Sequence, residues 1–214
     1  CDIRLQNPGD DHVITAGSVN LIVIEEGVHN LSDGRKLEAY RFMSSTPPDS
    51  KSSDHVGTKR SYVWSYTQPR VLAQVMTHND QRFSVPLITD GSLGNPADAD
   101  DLYVNLQVLE DSETTRASEE IGYIVIESGS GSMNNISYQA GRTADSVKGV
   151  DDQGYEEPLT GSFSIGVATL QAQDGGDGGW AVLYGSNPIN SDLHVANEED
   201  TINDEERAHT TEEV

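Results

Sequence analysis

The chain predicts an all-β protein built as two tandem antiparallel β-sandwich domains. Two observations predict the class: short apolar runs that alternate with polar residues between turn signals, and the lack of a sustained 3.6-residue apolar period. A third predicts the tandem arrangement. The stretch Ile121-Gly122-Tyr123-Ile124-Val125-Ile126-Glu127 has a near copy in Val19-Asn20-Leu21-Ile22-Val23-Ile24-Glu25, and Glu119-Glu120-Ile121 returns as Glu212-Glu213-Val214. The interval is roughly 100 residues, the modal size of a domain. In one register these copies divide the chain into residues 1–26, the closing strands of a preceding repeat or a donor strand; residues 27–128, a first sandwich; and residues 129–214, a second sandwich that lacks its last strand.

Along the chain, Ile3-Arg4-Leu5 alternates and leads through the turn sequence Asn7-Pro8-Gly9-Asp10-Asp11 to the 19–25 run. That run is apolar on both faces at its centre, which predicts a strand inside a sheet. Gly27 opens the first repeat with residues 28–41, and Gly129 opens the second with a shorter version, residues 133–142. Residues 43–60 and 143–158 are polar and rich in turn formers, and read as surface loops. Strands are expected over 61–66, 69–77 and 82–88, and in the second repeat over 162–165, 166–172 and 180–184. Pro86 cannot donate to a ladder, so its strand belongs at an edge or a bulge. Strands at 102–109 and 193–196 are each followed by an acidic connector that leads back to the opening motif.

Charge narrows the partners. Thirty-six acidic residues stand against 13 basic ones, a formal charge of −23, which disfavours nucleic acid and anionic membranes. No apolar run reaches the ~20 residues that span a bilayer. The single cysteine, Cys1, excludes an intrachain disulfide framework. The mean hydropathy of −0.53 suits thin sheets with one wet face.

Motifs for chemistry are sparse. Gln173-Asp174-Gly175-Gly176-Asp177-Gly178-Gly179-Trp180 joins two strands and sets Asp174 and Asp177 in a flexible loop, where carboxylates and carbonyls can contribute to a calcium site. A solvated glycine hairpin is the competing reading. The six histidines show no zinc spacing, and no nucleophile elbow, phosphate loop or dinucleotide fingerprint is present, so an enzyme is not expected. Asn30 and Asn135 begin Asn-X-Ser acceptors at matching places in the two repeats, which marks them for glycosylation in a secretory setting. Trp64, Tyr66, Trp180 and Tyr184 alternate within strands and read as core or sheet-face packing rather than sugar platforms.

The stretch Gln68-Pro69-Arg70-Val71-Leu72-Ala73-Gln74-Val75 and the closing Ile121-Gly122-Tyr123-Ile124-Val125-Ile126-Glu127 resemble strands of the H-type lectin family. The resemblance implies a six-stranded antiparallel β-sandwich and, from tandem members in large secreted and surface proteins, an extracellular or cell-surface location. It carries no sugar-binding residue across. Where the family holds a hexose with an Arg and a Trp-His pair, this chain has residues 84–87 and a connector beginning Glu110-Asp111. The expectation is an extracellular structural or adhesive repeat protein, a subunit or segment of a filament whose partners are copies of itself or adjacent repeats. Val19, Leu21, Ile22, Val23 and Ile24 would form the assembly strand. The alternative is a glycan-binding module, assisted by calcium.

Overall fold

The structure is a computed structural model that describes residues 3–6, 8, 19–44, 57–108, 115–173, 175, 178–201, 205 and 207–214. The fold is all-β, made of several antiparallel sheets, with a single 3-10 turn at Val150–Asp152 among the described residues. The first seven strands are β1 (Gly27–Asn30), β2 (Lys36–Met43), β3 (Thr58–Ser61), β4 (Pro69–Val75), β5 (Val85–Thr89), β6 (Asp101–Gln107) and β7 (Glu120–Glu127). They form a four-stranded sheet in the order β1-β2-β7-β4 and a three-stranded sheet in the order β3-β6-β5. Seven strands are one more than the six that the lectin resemblance implies.

Strand β7 is central because its two edges are both filled. Ile121 to Ile126 pair with Phe42 to Leu37 of β2 on one side and with Val75 to Arg70 of β4 on the other. Period-two alternation sends Ile121, Tyr123 and Val125 inward. There they join Val71 of β4, Ile88 of β5, and Leu102, Val104 and Leu106 of β6 in one apolar cluster between the sheets. Close approach of the chain at β6 needs a glycine: Gly57 has φ +80 and lies against the Val104 carbonyl, where a Cβ would collide. Pro86 stands in β5, the outer strand of its sheet, in keeping with its missing N–H.

The second half holds β8 (Gly129–Met133), β9 (Ile136–Ala140), β10 (Tyr155–Pro158), β11 (Trp180–Leu183) and β12 (Asp192–Glu198). Strands β8 and β9 form a hairpin whose two-residue turn, Asn134-Asn135, has both φ positive, at 51° and 66°. Strands β10, β12 and β11 make a sheet in which β12 is central, the place that β6 takes in β3-β6-β5.

Several expected elements differ. Among the described residues, 19–25 belong to no ladder; both edges of the β7 position they copy are taken, by β2 and β4. Among the described residues, 162–172 form no strand either; β4 is a strand because β7 pairs with it, whereas the later segment has the isolated bridge of Ala172 to Glu213. The expected strand at 61–66 is shifted: β3 ends at Ser61 and the chain bends beyond it. Of the expected loop at 43–60, residues 45–56 lie outside the described residues and its end is β3. The expected loop at 143–158 contains the 3-10 turn and β10. Strands with the composition Thr-Lys-Arg-Ser and Tyr-Glu-Glu-Pro are half exposed, so an apolar alternation is absent from them.

Candidate assembly site

The acidic pair ahead of β7 does two different jobs. Glu119 is buried and its carboxylate accepts the Thr77 hydroxyl, the Asn79 N–H at 3.2 Å and the Asp80 N–H at 2.7 Å, which closes the turn after β4. Glu120 faces outward and pairs with Arg41 of β2 at 3.2 Å. The Asp80 carboxyl, bonded by the Arg82 guanidinium at 2.7 and 2.8 Å, is held well below the usual carboxylate range.

Those contacts have counterparts at Glu212 and Glu213. Glu212 is buried and accepts the Gly175 N–H at 2.9 Å, closing the turn that follows residues 166–172. Glu213 pairs with Arg142 at 2.8 Å, and its carbonyl accepts the Gln171 N–H at 2.9 Å. The Val214 carbonyl takes the Thr143 N–H at 2.9 Å, while the Val214 N–H donates to the Thr143 hydroxyl at 3.0 Å. Residues 212–214 thus lie between the chain leaving β9 and residues 171–172, as the start of β7 lies between β2 and β4. Further pairs recur. Glu38 accepts the Val63 N–H at 2.9 Å and Gln139 accepts the Thr160 N–H at 2.8 Å; Tyr62 donates its N–H to Asp100 O and Leu159 to Ser191 O.

The segment that copies β7 has the opposite surroundings. Ile121, Tyr123 and Val125 are 0%, 3% and 0% exposed, whereas the matching Val19, Leu21 and Val23 are 49%, 49% and 74% exposed. Ile22 is exposed as well and Ile24 half-buried. Full burial of such a side chain stabilises by about 1.5–3 kcal/mol, so a run of them held in water is a strong claim on a partner surface. The Asn20 amide donates to the Gly166 carbonyl at 3.1 Å, and His29 Nε2 bonds the Glu25 carbonyl at 2.7 Å.

Other sequence-derived positions lie apart from this site. Asn30 ends β1 and Asn135 occupies the β8–β9 turn, both exposed to solvent. Asp174 and Asp177 fall outside the described residues. Gly175 between them sits over Thr210, His209 and Glu212, and His209 lies 3.4 Å from both Glu199 and Glu212. Among the described residues no group of three or more His, Cys, Asp or Glu side chains is arranged to hold a metal. A cleft of about 300 Å³ is lined by residues 67–70 and 96–99 together with Arg142. Burial, with repulsion from Arg142 second, lowers the affinity of Arg70 for its proton, and Glu127 and Glu213 oppose that effect. Of the four aromatics, Tyr66 is in the core with Trp64 packed against it, and Trp180 meets Phe83 edge-on at 5.1 Å.

Sequence reasoning missed how the two halves meet. The free edge of β4 is covered by side chains: Gln171 donates to the Val71 carbonyl, and the Thr169 hydroxyl bonds the Ala73 N–H at 3.2 Å and its carbonyl at 3.4 Å. The Ile88 N–H reaches the Leu170 carbonyl at 3.4 Å and the Gln173 N–H the Leu93 carbonyl at 2.9 Å. The signal available was faint, an alternation of Thr169 and Gln171 in a segment read only as a strand. Among the described residues no helix is long and apolar enough to cross a membrane. No family model, no curated protein and no solved structure matches the chain.

Proposed function

We propose that the chain is an extracellular structural or adhesive repeat protein, a segment or subunit of a surface filament made of tandem H-type lectin-like β-sandwiches at residues 27–128 and 129–214. The observation that carries this reading is the recurrence of contacts at equivalent positions. Arg41–Glu120 is matched by Arg142–Glu213, Glu38 to Val63 N–H by Gln139 to Thr160 N–H, and the buried cap of Glu119 by that of Glu212. Repeats of this kind stack through nearest neighbours, and a matching surface on each unit propagates as an open array instead of closing. The exposed apolar run at residues 19–25 supplies a surface of that sort.

The test is the state of the purified chain in solution and on the electron-microscope grid. Linear oligomers whose length grows with concentration are expected. Dispersed particles of 23.2 kDa at every concentration would sink the reading.

A further inference from the structure

The cleft lined by residues 67–70, 96–99 and Arg142 brings two guanidinium groups to one place. Arg70 is the second residue of β4, and Arg142 follows the end of β9 at Ala140. The Arg70 Nη1 donates to the Pro69 carbonyl at 2.9 Å and Nη2 to the Gln68 amide oxygen at 3.3 Å, while Nε is buried and has no hydrogen-bond partner among the described residues. Among those residues no carboxylate forms an ion pair with Arg70. Carboxylates are not scarce, with 36 acidic residues against 13 basic ones; the ones around the cleft are engaged elsewhere. Glu127 accepts the Thr67 N–H at 2.9 Å and the Gln68 N–H at 2.8 Å, Glu213 contacts Arg142 Nε at 2.8 Å, and Asp98 Oδ1 accepts the N–H groups of Asp100 and Asp101, both at 2.9 Å. Arg70 is thus a half-buried cation beside a second cation, an arrangement that is costly until an anion joins the two.

We propose that this cleft binds a small polar carboxylate, whose carboxylate group accepts N–H groups of Arg70 and Arg142 together while the Thr67 hydroxyl and the Gln68 amide face the rest of the ligand. The planar guanidinium fork matches carboxylate geometry. A doubly charged anion such as sulfate fits less well, because Asp98, Glu127 and Glu213 stand close by and the chain as a whole carries −23. The volume of about 300 Å³ is at the low end for ligand pockets and suits a hydroxy acid or one acidic side chain. Its chemistry is independent of assembly, since the lining residues belong to one chain.

Titration of the isotope-labelled chain, followed by NMR at an ionic strength held constant with sodium chloride, tests this. The probes are lactate, a capped aspartate (N-acetyl-aspartyl amide), the neutral analogue lactamide, and sulfate. Lactate or the capped aspartate is expected to shift the amides of Thr67, Gln68, Arg70, Ala97 and Ala99 saturably, with lactamide at least about tenfold weaker and sulfate weaker than lactate. The tighter of the two carboxylates assigns the source as a free hydroxy acid or an acidic peptide side chain. Arg70→Gln is expected to weaken binding about tenfold or more, with a Tm no lower than the parent's because a repelled cation is removed. Arg142→Lys, which keeps the charge and loses the fork, is expected to weaken it too and serves if Arg70→Gln does not unfold cooperatively. No saturable shift with either carboxylate overturns the proposal. So does lactamide binding as tightly as lactate, or binding unchanged in both variants. Sulfate binding more tightly than lactate overturns the choice of a carboxylate.

Discussion

Glu38 is a carboxylate at 0% exposure on β2, with Val63 N–H at 2.9 Å as its hydrogen-bond donor. Burial raises its pKa above the ordinary 4.5, with the Val63 N–H acting in the opposite sense. Because the folded state then holds a proton more tightly than the unfolded chain, its contribution is fully present below the ordinary carboxylate pKa and is lost as pH rises through the higher folded value. The second half puts Gln139 at the matching place, and its amide oxygen accepts the Thr160 N–H without a charge. Glu38→Gln is accordingly expected to stabilise the protein by on the order of 1 kcal/mol at pH 8, with the gain shrinking toward pH 5. Thermal unfolding of both proteins across that range checks it; a parent more stable than the variant at pH 8 would refute it. A glutamate inside a strand reads from sequence as a solvated position, so this buried site was not legible: the side that Glu38 faces is decided by register against β7.

At the scale of elements, β4 is an outer strand whose one charged residue is Arg70. Its open groups are met by Thr169 and Gln171, a way of blunting an edge that would otherwise recruit another chain. Replacing both, as Thr169→Val with Gln171→Leu, is expected to lower stability by about 2 kcal/mol and to speed amide exchange at Ala73. Unchanged exchange there would show that the strap does not protect the edge. The sequence made β7 legible because its inward residues alternate and are buried, and it also led to β4, β6, β11 and β12. It read a strand over residues 166–172 where none forms among the described residues, because strand propensity describes a fit to a sheet face and contains no record of which edges remain open. The reverse error, a loop in place of β10, arose where Glu156 and Glu157 hide a strand that pairs with β12. The candidate site was legible as a repeated motif; its flanking contacts, Arg142 with Glu213 and Thr143 with Val214, emerged from the register of a hairpin.

For the molecule as a whole, a formal charge of −23 over 214 residues sets long-range repulsion against folding and association alike. Surface charges further apart than about 10 Å are screened at ~0.1 M salt. Raising sodium chloride from low to moderate concentration should therefore add on the order of 1 kcal/mol, about 2–4 °C in Tm for a chain of this size, and a scan against ionic strength reads it. A Tm that falls with salt would mean that ion pairs such as Arg41–Glu120 and Arg142–Glu213 outweigh the repulsion. Ser128 is the lone residue between β7, which ends at Glu127, and β8, which begins at Gly129 with φ +119. A join this short has no slack. A load carried by β8 reaches β7 through the single residue Ser128 and meets there the two ladders that hold β7 to β2 and β4.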